Sequence, residues 1–147
     1  MAYVSTYLNF QGKTEEAMKF YAKAFGTEST LKIIHFSDMP AMPGAPAMQE
    51  SDLGFVLNAE LKILNGYTLM ATDMLESMGQ LTKIGNNTTI SLNLDSRDEA
   101  DRLFAIFAEG SEEKAGMMDM PFGYWGCALD TYGIRWMVNV APVTNAG

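Results

Sequence analysis

The chain has 147 residues, of which 48% are hydrophobic and 19% charged, the balance of one globular domain with a core of its own. Its formal net charge of −8, without a basic stripe, would repel a nucleic-acid backbone or an anionic membrane surface. We therefore expect neither nucleic acid nor a membrane as a partner.

The first half of the chain predicts one strand, one helix and three further strands. The segment YLNF from Tyr7 alternates like a short strand, and TEEAMKFYAKAF after it is amphipathic. Thr14 is predicted to cap this helix, and Gly26 to end it in a left-handed conformation. STLKIIHF, GFVLNAELKI and YTLMATD are the next strand candidates, and Asn65-Gly66 predicts a hairpin turn between the last two.

The second half repeats this plan. SLNLDSRDEADRLFAIFAEG corresponds to the first strand and helix, with Ser96 placed as the helix cap and Gly110 as its stop. EEKAGMM, YWGCALD and IRWMVNV are the three strand candidates that follow, with a turn at Asp130-Thr131-Tyr132-Gly133. The repeat predicts two modules, residues about 1–80 and about 81–147, within a single domain spanning 1–147.

A long connection interrupts the first module. SDMPAMPGAPAMQESD, residues 37–52, contains three prolines and several methionines, which argues against regular structure. Loops of this length act as lids, binding loops or mobile linkers. A ligand cover, a dimer contact and a plain linker all remain open for it.

Cysteine and histidine are each present once. Because Cys127 is the sole cysteine, no disulfide can form within the chain, which fits a reducing compartment, and its apolar neighbours favour an inert thiol. MAYVSTYLNF lacks the pattern of a secretory leader and no stretch is long enough to span a bilayer, so we expect a cytoplasmic protein. We interpret His35 as a strand residue hydrogen-bonded to its neighbours.

Four segments together resemble the PhnB-like branch of the vicinal-oxygen-chelate superfamily, which includes glyoxalase I, extradiol dioxygenases and bleomycin-resistance proteins. They are YLNFQGKTEEAMKFYAKAFG, the loop containing DMP, GYTLMATD and FGYWGCALDTYGIRWMVNV, and the resemblance covers nearly the whole chain. It implies an α+β fold of two βαβββ modules, whose curved mixed sheets enclose a cavity with the helices outside. It also implies a homodimer.

The metal enzymes of that superfamily place His, Gln or Glu at four inward positions. The resemblance puts those positions at Ser5, Met70, Thr89 and Met137 of this chain. Hydroxyls bind divalent cations weakly, and thioethers prefer soft copper. We therefore expect no metal and no other cofactor.

Strand alternation from those positions predicts a polar cavity lining. The predicted ligand-binding residues are Ser5, Tyr7, Asn9, Thr68, Met70, Thr89, Ser91, Asn93, Trp125, Arg135, Met137 and Asn139. Arg135 would clamp an anionic or carbonyl group, or would instead pair with an acidic residue such as Asp73. Trp125 would form an aromatic wall or simply pack.

The resulting hypothesis is a metal-free binder of a small molecule, similar to bleomycin-resistance relatives. The alternative is an enzyme of the superfamily: a lyase, an oxygenase, or the ubiquinone-related methyltransferase whose name PhnB-like relatives carry. Methyl transfer lacks the glycine-rich strand-to-helix turn of an adenosylmethionine site. No catalytic residue is identified, although Tyr7, Asp73 and Asp130 are candidates for acid–base chemistry.

Overall fold

The computed structural model of the chain describes residues 1–40 and 42–143. The chain divides into two compact units, Met1–Lys83 and Ile84–Gly147. Within the described ranges, no helix combines the length and the apolar character needed to cross a membrane.

The first unit is a four-stranded mixed sheet with one helix. Its elements are β1 (Thr6–Phe10), α1 (Thr14–Phe25), β2 (Lys32–His35), β3 (Val56–Lys62) and β4 (Thr68–Asp73). The strand order is β1-β4-β3-β2, in which β1 and β4 are parallel and the other pairs antiparallel. The predicted strand STLKIIHF is shorter than expected, because Glu28–Thr30 form a 3₁₀ turn before it.

The second unit has the same topology. Its elements are β5 (Ile90–Leu94), α2 (Arg97–Ala108), β6 (Lys114–Met120), β7 (Gly123–Leu129) and β8 (Arg135–Val140). The strand order is β5-β8-β7-β6, again with one parallel pair, β5 and β8. The predicted α+β fold, with the βαβββ order in both halves, is confirmed.

Each helix covers one face of its own sheet, and strand alternation decides which residues lie beneath it. Leu8 and Phe10 of β1 are buried, as are Leu92 and Leu94 of β5. The residues that alternate with them, Tyr7 and Asn9 in β1 and Ser91 and Asn93 in β5, lie on the opposite, exposed faces. Both sheets therefore keep one face that their own helix does not cover.

The core of the second unit contains a buried aromatic pair and a buried carboxylate. The rings of Phe107 in α2 and Trp136 in β8 are stacked, with centroids 4.4 Å apart and planes 6° from parallel. The indole N–H of Trp136 donates to Asp130 Oδ2 over 2.8 Å. Asp130 Oδ1 accepts from the backbone N–H groups of Tyr132 and Ile134, so this carboxylate closes the predicted turn.

The helix ends follow the sequence signals with one exception. Ser96 caps α2 by accepting from Glu99 N, and Gly26 ends α1 in the left-handed region. The prediction that Thr14 caps α1 is wrong, because Thr14 is the first helical residue and its buried hydroxyl has no hydrogen-bond partner among the described residues. Asp73 at the end of β4 takes the capping role instead, accepting from Thr14 N over 3.0 Å.

Candidate functional site

The exposed face of the second sheet carries an uncharged row of side chains. Asn93 in β5 lies beside Asn139 in β8, and Asn139 lies beside Trp125 in β7. Side chains directly opposite each other on neighbouring strands are within contact distance. The row therefore presents two amides and an indole side by side, and Asn93 is exposed while the other two are half-buried.

The amides of this row use little of their hydrogen-bonding capacity. Asn139 Nδ2 donates to Asn93 Oδ1 over 3.5 Å, which is long for such a bond. Asn139 Oδ1 is buried and has no hydrogen-bond partner within the described residues. It lies against Gly123, where a Cβ atom would come within 2.6 Å of it, so glycine at this position leaves room for the amide.

A second row runs parallel to the first. Ser91, Met137 and Cys127 are neighbours across β5, β8 and β7. Cys127 is half-buried and lies on the exposed face of the sheet. This row adds one hydroxyl and two sulfur atoms to the face.

Arg135 begins the third row and is held by two partners. Its Nη2 lies 2.8 Å from Glu113 Oε1, and its Nε donates to Gly85 O over 2.8 Å. The Arg135 side chain is 19% exposed. Of the two interpretations of Arg135, pairing with an acidic residue is the one observed, although the partner is Glu113 rather than Asp73. A cavity of about 260 Å³ lies here, and Thr89 lines it together with this ion pair.

In the first unit the predicted residues lie on a more charged face. Tyr7 of β1 lies beside Met70 of β4, which in turn lies beside Glu60 of β3. Glu60 pairs with Lys62 at 3.5 Å, and Lys62 Nζ donates to Thr68 Oγ1 over 2.5 Å. The predicted set thus shares its face with an ion pair that the prediction missed.

The remaining predicted residues of this unit lie near its edge strand. Asn9 pairs with Thr72, and Ser5 directly precedes β1 and is half-buried. The signal for the missed Glu60 and Lys62 was available in the sequence. Alternation along β3 places both on the face opposite the buried Ala59 and Leu61.

The residues at the four superfamily metal positions do not fit a divalent cation. Ser5 and Thr89 offer hydroxyls and Met70 and Met137 offer thioethers, so the set contains no imidazole or carboxylate. Among the described residues, no cluster of three or more His, Cys, Asp or Glu side chains is placed to hold a metal ion. Metal independence stays a prediction.

The candidate acid–base residues differ in burial and in how far their side chains are already hydrogen-bonded. Asp73 is 4% exposed, and its two oxygens accept from Thr14 N and Val56 N. The carboxylate of Asp130 is likewise taken by a turn and an indole, as described above. Both groups therefore stabilise the fold, whereas Tyr7 is 50% exposed.

His35 behaves as interpreted from the sequence. Its Nε2 lies 2.5 Å from Glu15 Oε1 of α1, and its backbone N–H donates to Asp38 Oδ2. Hydrogen bonds from Lys19 first, and then from His35, hold the pKa of Glu15 below its ordinary value of 4.5. The histidine thus ties β2 to the helix.

The comparisons with known proteins agree with this architecture. A sequence profile of the family described as 3-demethylubiquinone-9 3-methyltransferase matches residues 2–139. Protein YjdN of Escherichia coli (strain K12) is 27% identical over 143 residues, which are 93% of this chain and 94% of that protein.

Two solved structures extend the agreement to the fold. Protein PA1353 from Pseudomonas aeruginosa is 28% identical, with a TM-score of 0.81 over 96% of this chain and 98% of its own. The PhnB protein from Bacillus cereus, a putative 3-demethylubiquinone-9 3-methyltransferase, is 23% identical, with a TM-score of 0.67 over 95% of this chain and 100% of its own. The chain therefore belongs to the 3-demethylubiquinone-9 3-methyltransferase family, and it shares its fold with the PhnB protein from Bacillus cereus.

Proposed function

We propose that this protein binds a small organic molecule on the exposed face of the second sheet, without a metal ion. The observation that carries the proposal is the uncharged row of Trp125, Asn139 and Asn93. A solvated sheet face usually carries well-hydrated polar side chains, whereas an indole beside two underused amides gains from a ligand that covers it. The row supplies both an apolar platform and directional hydrogen bonds.

The ion pair beside the row indicates the charge of the ligand. Glu113 neutralises Arg135, so the cation is not free to clamp an anion. The hydrogen-bonding groups that remain are the amide of Asn93, the Nδ2 group of Asn139 and the hydroxyl of Ser91. These features favour a neutral molecule with a flat apolar part for Trp125 and polar atoms for the amides.

Methyl transfer, which the family description names, finds no support in the turn from β1 to α1. That turn, Gln11-Gly12-Lys13, contains a single glycine. The first N–H of α1 is taken by the Asp73 carboxylate, so it is not available to a cofactor. A nucleotide-type methyl donor therefore lacks its usual binding site at the N-terminus of this helix. We retain small-molecule binding as the proposed function.

A homodimer and a cytoplasmic location complete the proposal. Phe122 and Met118, which lie near Trp125, are 54% and 44% exposed. A second copy of the chain would cover such side chains, as the superfamily resemblance implies. The single cysteine suits a reducing compartment.

Native mass spectrometry of the full chain, purified without added metal, tests this proposal together with elemental analysis of the same sample. We expect a dimer that carries a small co-purified mass and no stoichiometric metal. Trp125→Leu and Asn93→Leu should each lose that mass. Asn86→Leu, a change of the same chemistry at an exposed position outside both sheets, should keep it.

Two results would contradict the proposal. One is a transition metal present at about one ion per subunit. The other is a co-purified mass that survives both Trp125→Leu and Asn93→Leu, which would place the ligand elsewhere in the molecule. Far-UV circular dichroism of each variant ensures that loss of the ligand is not loss of the fold.

A further inference from the structure

A second cavity, of about 470 Å³, lies in the first unit and includes none of the predicted ligand-binding residues. It lies at the ends of β1 and β4. One wall is formed by the end of the long loop, residues 49–52, and the other by the turn that follows β4, residues 76–77. Its volume falls within the range of small-molecule sites. It is separate from the sheet face on which the proposed function rests.

The ionisable side chains of this cavity are all acidic. Asp52 and Glu76 line it, and no lysine, arginine or histidine is among the residues around it. Asp52 is only 6% exposed, yet it has no cationic partner among the described residues. A buried carboxylate is normally paired with a cation. Here the partner would have to come from outside the chain.

A hydrogen bond orients the Asp52 carboxylate. Ser77 Oγ donates to Asp52 Oδ2 over 2.5 Å and so links the loop to the turn after β4. This bond uses one oxygen of the carboxylate. The other oxygen has no hydrogen bond to a described residue, so it keeps its capacity to accept from a ligand.

The rest of the lining suits the organic part of a cation. The Phe55 ring and the Met74 side chain provide apolar and polarisable surface beside the carboxylate. Gly12 lies against that ring, and a Cβ at this position would come within 3.3 Å of Phe55 Cε1. Glycine therefore allows the ring to lie close to the β1–α1 turn.

The walls are held in place without a ligand. Gln11 Nε2 donates to Met74 O and Gln80 O, and Gln11 Oε1 accepts from Thr82 N. One side chain thus fixes the segment after β4 against the end of β1. A preformed site loses less conformational entropy on binding.

We propose that this cavity binds a small organic cation, with its ammonium head between the Asp52 carboxylate and the Phe55 ring. A hard divalent cation fits less well, because it needs six or more oxygen ligands and no cluster of three acidic, His or Cys side chains is present in the described ranges. The proposal also gives a role to the end of loop 37–52, which carries Asp52.

Isothermal titration calorimetry of the full chain with choline and with 1,4-diaminobutane tests this inference. The uncharged isostere of choline, 3,3-dimethylbutan-1-ol, has the same shape without the charge. We expect at least one of the two cations to bind at one per chain, and the alcohol to bind about tenfold more weakly or worse. Asp52→Asn should weaken cation binding by about tenfold or more.

Two further variants keep the test decisive if Asp52→Asn does not fold. Glu76→Gln changes an exposed carboxylate of the cavity, and Phe55→Leu removes the aromatic ring. Each should weaken binding of the cation. Glu28 is an exposed carboxylate of the same unit outside the cavity, and Glu28→Gln should leave cation binding unchanged. This control distinguishes binding in the cavity from general attraction of a cation to a chain of net charge −8.

Several outcomes would overturn the inference. They are binding of neither cation, equal binding of choline and its alcohol, full affinity in a folded Asp52→Asn variant, and displacement of the organic cation by magnesium chloride in equimolar competition. Because the proposed function is tested through Trp125 and Asn93, failure of one proposal does not imply failure of the other.

Discussion

Replacement of Asp130 should destabilise the second unit strongly, since this carboxylate holds three N–H groups at once. It is 5% exposed and accepts from Tyr132 N, Ile134 N and Trp136 Nε1. Hydrogen bonds to a charged group contribute roughly 1.5–3 kcal/mol each, and a buried donor left alone costs roughly 1–3 kcal/mol. We expect Asp130→Ala to lower the free energy of unfolding by about 3–5 kcal/mol.

A double-mutant cycle isolates the indole part of this effect. In Asp130→Asn, one end of the amide is an N–H donor, so it must face either the indole N–H of Trp136 or the two backbone N–H groups. In a Trp136→Phe background the indole donor is absent while an aromatic ring can still stack on Phe107. Asp130→Asn should therefore cost about 1–2 kcal/mol less in that background than in the native chain.

The assay is urea denaturation followed by tryptophan fluorescence and far-UV circular dichroism. Both tryptophans, Trp125 and Trp136, lie in the second unit, so their fluorescence reports on that unit, and Trp125 remains in the Trp136→Phe background. Circular dichroism follows the whole chain and reveals whether the units unfold separately. A loss below about 1 kcal/mol in Asp130→Ala, or equal costs of Asp130→Asn in both backgrounds, would refute the reasoning.

Three further changes test other parts of the fold. In Asp73→Asn, the amide oxygen can accept from Thr14 N or from Val56 N, but the amide nitrogen cannot accept from the other. We therefore expect the free energy of unfolding to fall by about 1–3 kcal/mol, with faster hydrogen exchange at one of these two amides. The lowered pKa of Glu15 means that its stabilising contribution is complete above about pH 4.5 and disappears as the pH falls through the lower folded value. Glu15→Gln should therefore lower Tm near neutral pH, and the difference in Tm should vanish in acid. Gly123→Ala should cost about 2 kcal/mol or more in urea denaturation, because a Cβ would meet backbone and amide oxygens at a positive φ.

The fold was predictable because its signals are local and occur twice. Alternation in β1 and β5 identified the buried faces, and Gly26, Ser96 and the Asn65-Gly66 turn marked where elements end. The error at Thr14 has a physical cause. A threonine before two glutamates has the local chemistry of a cap, but the N–H of Thr14 is satisfied by Asp73, which lies 59 positions away.

For the candidate site, the sequence predicts which side chains share a face of a sheet, but not which of them contact each other. Alternation predicted one face for Asn93 and Asn139, and strand pairing places these two side chains in one row with Trp125. It could not identify Glu113 as the partner of Arg135. Glu113 directly precedes β6, whose pairing with β7 shifts at an irregularity between Ala115 and Met118, and no local sequence signal determines such a shift.

The two units share a topology but differ in the length of one connection, the one between their second and third strands. A function that depends on this connection can belong to one unit only. Residues 36–55 separate β2 from β3, whereas residues 121–122 alone separate β6 from β7. Asp52 and Phe55 come from the long connection, which the second unit replaces with two residues. If that cavity binds an organic cation, shortening the connection to the two-residue form should abolish cation binding while the open sheet face of the second unit keeps its own ligand. Loss of both ligands on that shortening would show instead that the connection serves the fold as a whole.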